Sequence, residues 1–299
     1  MTSAVALFAI SAGAYLIAVL EGWSVHGRLR LTGPAIAALA LLARESFVGR
    51  KPDRVFYEAG PILLLTAGLF AAAVIPLTPN IIVVDLATGA LFLNAALAYV
   101  LVAIIMAGWG PNGAYGMIGG WRFLGQFIAY AMLIVMPITA VAMRAESLMM
   151  TDIVASQAQL WNAVYQPLGF LLFVIASMGL AYLPPFDLPI ACGDLAGGVE
   201  AEYTGVRLSV MRLARMVVIL SLASATATFY LGGWLGPWLP AWVWSTIKIL
   251  AIAAAMLIAG PYAARIREAH YLALSWKLGI SLALANIFLV GVLVLAAPL

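Results

Sequence analysis

Cysteine occurs once in 299 residues, at Cys192, and charged side chains make up 9% of the chain. One cysteine cannot form an internal disulfide, and alone it cannot hold an iron–sulfur cluster or a structural zinc. A redox centre working with this chain is therefore expected on another polypeptide, with no cofactor bound by this chain alone. The two histidines, His26 and His270, have no metal-ligand spacing to a partner, so no metal site is predicted. Glycine-rich phosphate loops, a His-Glu-x-x-His helix and a nucleophile-elbow serine are all missing. So are the aspartate-rich helix pair that handles magnesium diphosphate and the paired broken helices of an inverted-repeat transporter. With so little charge, no polar segment is long enough to build a separate soluble domain.

Hydrophobic residues make up 65% of the sequence, and the mean hydropathy is +1.08. Apolar runs of about 20 residues recur, the length that crosses roughly 30 Å of hydrocarbon as a helix. The chain reads as an all-α integral membrane protein, one membrane domain over residues 1–299. Eight spans are expected near 4–20, 56–77, 84–107, 124–143, 161–181, 208–230, 240–260 and 275–296. The first follows Met-Thr-Ser with no basic leader, so it is expected to be retained rather than cleaved. Residues 34–48 are too short to span and predict an amphipathic helix at the membrane interface.

A net charge of +3 comes without an aromatic-basic module, so nucleic acid is not a predicted partner. Orientation accounts for the excess. The connections that follow odd-numbered spans hold Arg28, Arg30, Arg44, Arg50, Lys51, Arg54, Arg122, Arg207, Arg265 and Arg267, with Lys277 just inside the last span, whereas the other side holds Arg144 alone. The positive-inside rule places the first set in the cytoplasm and both termini outside, in a cytoplasmic membrane of bacterial or archaeal type.

Acids concentrate in one cytoplasmic connection, 184–205, which contains Asp187, Asp194, Glu200 and Glu202. Pro184, Pro185 and Pro189 stop helix at its start, and four glycines let it turn and pack closely, so a shaped loop is expected. Within the spans, ionisable residues cost roughly 2.5–3.5 kcal/mol unless partnered. Glu21, Asp85, Arg212, Arg215 and Lys248 carry that cost. Arg212 and Arg215 lie near enough to the loop to meet Asp194, Glu200 or Glu202, and Lys248, about eight residues into the seventh span, is expected to face the bundle. Composition alone leaves a free-standing transporter open.

Pro185-Phe186-Asp187-Leu188-Pro189, then Leu195, Gly198 and Glu202-Tyr203-Thr204-Gly205, make the loop resemble that of an NADH-quinone oxidoreductase membrane subunit, the one called subunit 1 in mitochondrial respiratory complex I. The resemblance extends over nearly the whole chain. It includes Glu21, Gly27-Arg28, Gly33-Pro34 and Arg44-Glu45, then Gly108-Trp109, Asn112, Tyr115, Gly119, Arg122 and Gln126. Gln166-Pro167-Leu168-Gly169-Phe170, Lys248, Arg265, Arg267, Trp276-Lys277 and Asn286 complete it. The resemblance implies a membrane-arm subunit of a redox-driven proton pump that joins the hydrophilic electron-transfer arm to the membrane arm. It implies a wall of a quinone chamber, with quinone at the interface and iron–sulfur clusters, or a nickel–iron centre, on partner subunits. Glu21, Asp187, Asp194, Glu200, Glu202 and Lys248 would carry the charge relay, while Arg28, Arg44, Glu45, Phe186, Arg265 and Arg267 would face the chamber or docked subunits. Departures accompany it: Leu180, Ile190, Cys192 and Ala131 stand where the family places acids, Leu183 where it places arginine, and Arg215 where an acid is common. These leave two alternatives: the matching subunit of an energy-converting nickel–iron hydrogenase or formate hydrogenlyase, without quinone, and a docking anchor that has lost ion coupling.

Overall fold

The computed structural model describes residues 2–49 and 51–296, so Arg50 lies outside the described residues. Nearly everything described is helical. Among the described residues, seven helices are long and apolar enough to cross a membrane. They are α1 (Thr2–His26), α3 (Arg54–Ala73), α4 (Gly89–Trp109), α5 (Ala114–Ala145), α10 (Gly205–Tyr230), α11 (Ala241–Tyr262) and the composite of α12 (Glu268–Leu274), a π-turn (Ser275–Gly279) and α13 (Ile280–Ala296). Shorter pieces are α2 (Gly33–Leu42), α6 (Met150–Ala155), α7 (Asn162–Tyr165), α8 (Pro167–Leu180) and α9 (Cys192–Leu195).

The fifth predicted crossing is therefore not one continuous helix. Gln166 leaves helical geometry at φ −138°, ψ 69°, and α8 starts at Pro167, because proline's ring disfavours helix in the residue before it. Fourteen residues of α8 rise only about 21 Å. The segment still runs the full depth of the bundle alongside α5. At one end the Arg144 guanidinium donates to the Leu160 carbonyl and the Asn162 amide oxygen at 3.0 and 2.6 Å. At the other, Gln126 donates to the carbonyls of Gly179 and Phe186 at 3.0 and 2.8 Å. Gln126 and Arg144 are eighteen residues apart on α5, about 27 Å of helix rise. Seven helices among the described residues are thus long enough to cross, and the fifth predicted span is represented by the two shorter pieces α7 and α8.

Two other expectations shift. α5 begins ten residues earlier than the predicted span, so Gly119, Gly120, Trp121 and Arg122 are helical and the turn before them shrinks to Gly110–Gly113. These glycines serve close packing rather than turning. α2 ends before Arg44 and is apolar on every side, exposing Ile36, Leu39 and Leu42 and burying Leu41, so it lacks the polar face expected of 34–48.

α10 is the pillar. Every residue from Met216 to Tyr230 is buried, as expected for a helix apolar all round, and two of its hydroxyls bond to carbonyls, Ser221 to Gly68 at 2.9 Å and Thr226 to Leu222 at 2.7 Å. α3 meets α4 where a Cβ on Gly60 would fall 2.9 Å from the Ala107 nitrogen, so only glycine permits that approach. The connections split between two ends. The α1–α3, α4–α5, α8–α10 and α11–α12 connections gather at one, the loop end, where Phe47 N donates to the Thr204 hydroxyl at 2.8 Å and Asp53 N to the Gly110 carbonyl at 2.8 Å. The α3–α4, α5–α8 and α10–α11 connections form the far end, together with the start of α1 (Ala6, Ala9 and Ile10 beside Ile75 and Leu77) and the end of α13 (Gly291 against Met143).

Candidate functional site

The 184–205 loop lies in the middle of the loop end, folded into two short 3-10 turns and α9. Close backbone approach seats it. A Cβ on Gly119 of α5 would lie 2.5 Å from the Pro189 carbonyl oxygen, and Gly198, at φ 52°, leaves no room for one beside the same carbonyl. Gln126 binds the Phe186 carbonyl from below, and the Phe186 ring packs on Tyr271 at 5.3 Å between centroids. Tyr203 stacks on Tyr57 at 4.7 Å and donates to the carbonyls of Ala107 and Tyr57 at 3.2 and 3.3 Å. Burial raises the phenols of Tyr182 and Tyr203 well above the ordinary tyrosine value, so both stay neutral.

On this scaffold the charged side chains pair around the loop. Arg265, after α11, reaches the buried Asp187 at 2.7 Å. Arg122 of α5 lies 3.4 Å from Asp194 and 3.8 Å from Glu268. Arg212 meets Glu200 at 3.8 Å, while Arg215, three residues on, turns inward to Glu21 of α1 at 3.2 Å and stacks on the Tyr182 ring at 4.9 Å. Arg207 grips Glu58 with two nitrogens, one at 2.5 Å and one at 3.0 Å, and stacks on Tyr57. All six ion pairs among the described residues belong to this end.

Of the residues singled out from sequence, Glu21, Phe186, Asp187, Asp194, Glu200 and Arg265 are brought together here. Glu202 joins by its backbone, whose carbonyl accepts from the Tyr57 hydroxyl at 3.4 Å, while its side chain is exposed beside Gly113. Arg28, Arg44, Glu45 and Arg267 lie exposed on the same end, outside its ion pairs. Lys248 does not join them. It is buried at the far end, bonded to the carbonyls of Leu231, Gly233 and Leu235. Leu180 and Leu183 are fully buried and apolar.

Sequence reasoning missed the Arg207–Glu58 pair and the role of Glu268. Each residue stands at a helix start, where charge is ordinary, so only the fold reveals that they face one another. Among the described residues no three of His, Cys, Asp and Glu gather closely enough to hold a metal ion. Chemically, the arrangement is a set of carboxylates tied to cations from other parts of the fold: Arg122 of α5, Arg207, Arg212 and Arg215 of α10, and Arg265 of the α11–α12 connection. A family model described as NADH dehydrogenase matches the chain over residues 5–291.

Proposed function

The chain belongs to the NADH dehydrogenase family, and on that premise we propose that it is a membrane-arm subunit of a complex I-like, redox-driven ion pump. In this reading it joins the hydrophilic electron-transfer arm to the membrane arm and forms part of a quinone chamber, with quinone reduced at the interface by iron–sulfur clusters on partner subunits. Asp187, Asp194, Glu200, Glu202 and Glu21 begin the charge relay. Arg28, Arg44, Glu45 and Arg267, exposed on the same end, face the docked subunits, and Phe186 backs the chamber wall from within.

The observation that carries the reading is the fastening of the acid loop to α5, α10 and the α11–α12 connection through Arg122, Arg212 and Arg265, with the Glu21–Arg215 pair tying α1 to α10 beside it. In this reading a charge change at the loop acts on α5, α10 and the α11–α12 connection at once. The inner membrane is the location proposed, with the loop end cytoplasmic and both chain ends outside, on the strength of the basic residues gathered there.

A second reading draws on Leu180 and Leu183, buried and apolar where the resemblance implies charges. It is the corresponding subunit of a nickel–iron hydrogenase or formate-linked complex, with no quinone. Purifying the assembly and measuring quinone reduction, nickel and iron separates the two: nickel without quinone reduction overturns the first. Asp194→Asn and Glu202→Gln in the assembled complex test the relay. Electron transfer is expected to persist while ion translocation per electron falls at least twofold, and unchanged translocation would leave only a docking role.

A further inference from the structure

The far end treats charge differently. α10 stops at Tyr230, which leaves its last carbonyls without helical partners. Gly232 and Gly233 then take positive φ, 69° and 47°, and Gly233 N donates back to the Ala227 carbonyl at 2.9 Å. This turn brings the carbonyls of Leu231, Gly233 and Leu235 to one point, 2.6, 3.0 and 2.6 Å from the Lys248 ammonium nitrogen. Trp161 and Trp244 face the same nitrogen, with ring centroids at 4.7 and 5.6 Å. Both rings are themselves fixed: Trp244 donates to the Pro237 carbonyl at 2.8 Å, and Trp161 packs where a Cβ on Gly232 would touch it at 3.3 Å. Gln157 holds the turn from the other side, accepting from Gly232 N at 2.9 Å.

An ammonium group has three hydrogens and no acceptor. Three carbonyls use all of them, and no carboxylate pairs with Lys248 among the described residues. We propose that the 231–235 turn is a carbonyl-lined binding site for a primary ammonium group, filled by Lys248. The bound charge stays in place as a clamp that closes the far end of the bundle around α10 and α11, and it takes no part in moving ions. The geometry resembles a cation site built from backbone oxygens and aromatic faces, with the cation tethered to the neighbouring helix. It also accounts for a buried lysine some eight residues into a span, where reaching water is hard.

The test uses the detergent-solubilised complex and chymotrypsin, which cuts after the aromatic residues of the 231–242 connection, where Trp238 is 99% exposed. Lys248→Met is expected to be cut there roughly tenfold faster than wild type, equivalent to about 1.4 kcal/mol of easier local opening. Lys248→Gln, which keeps two donors without charge, should fall between. Lys248→Cys alkylated with 2-bromoethylamine regains an ammonium at nearly the same reach and should return to within about twofold of wild type, whereas a neutral S-methylthio adduct should not; wild type carrying Cys192 and treated identically is the control. Ion translocation per electron in Lys248→Gln is expected to match wild type. Equal cutting of Lys248→Met and wild type overturns the clamp, and so does lost translocation in Lys248→Gln with the turn still resistant. Should Lys248→Met fail to assemble, Lys248→Gln carries both readouts. The cutting measurement holds whichever electron partner the complex uses.

Discussion

Asp187 and Asp194 belong to one loop and to one chemical type, yet their surroundings set them apart. The Asp187 side chain is 9% exposed and its partner Arg265 54%, whereas Asp194 is 72% exposed beside Arg122. Exposed pairs contribute about 0.2–1 kcal/mol, and a fully buried acid that loses its cation costs roughly 3–5 kcal/mol. Arg265 reaches water, so its loss falls below that range. Arg265→Ala is expected to lower the stability of the assembled subunit by about 2 kcal/mol, and Asp194→Ala by less than about 0.5 kcal/mol. Combining Arg265→Ala with Asp187→Asn should recover much of the loss, because the stranded charge is then gone. Thermal unfolding of these variants and of Asp187→Asn alone in one detergent checks the order, and additive losses in the double variant would rule out the pairing.

At the scale of elements, the spans were legible because about 20 apolar residues can do little else, and the acid loop because its charges stand out in an apolar chain. The break in the fifth crossing was less so. Gln166-Pro167 carries the local signal, but both flanks are apolar and read as one run. The early start of α5 was hidden for another reason: Gly119 and Gly120 look like turn formers, while in the fold they admit the loop and α4. Pairings such as Arg207 with Glu58, 149 positions apart, leave no local trace at all. Gly119 and Gly120 of α5 give a matched test. A Cβ on Gly119 would meet the Pro189 carbonyl at 2.5 Å, whereas on Gly120 the nearest neighbour is at 3.6 Å. Gly119→Ala is therefore expected to lift the loop and reduce co-purification with partner subunits several-fold at equal membrane content, and Gly120→Ala to leave it unchanged. Equal recovery of the two variants would show that seating the loop against α5 is not what docking requires.

Across the whole molecule, the two ends settle their buried charge by different means. The far end binds Arg144 and Lys248 to neutral carbonyl and amide oxygens, which hold no proton to exchange. The loop end binds its cations to carboxylates, whose charge a proton can cancel. Its innermost pair, Glu21 with Arg215, ties the first crossing to the central pillar across 194 positions of sequence at 3.2 Å. An acid in place of Arg215 would turn this ion pair into an acid–acid contact. Two carboxylates at that separation cannot both ionise, and one must take up a proton. Arg215→Glu is expected to abolish ion coupling or assembly, since it creates that contact beneath apolar Leu180 and Leu183 with no counter-charge. Adding Glu21→Arg restores an ion pair of reversed sense, and the double variant should recover stability to within about 1 kcal/mol of wild type, as expected when a direct pair is the dominant interaction between two sites. A double-mutant cycle on thermal stability and on ion translocation per electron reads both effects. Recovery of stability without recovery of translocation would mean that the direction of the pair, and not its presence alone, matters to the relay. No recovery in either would mean that Arg215 serves the loop through the Ala181 and Tyr182 carbonyls, which its guanidinium also approaches at 3.5 and 3.4 Å.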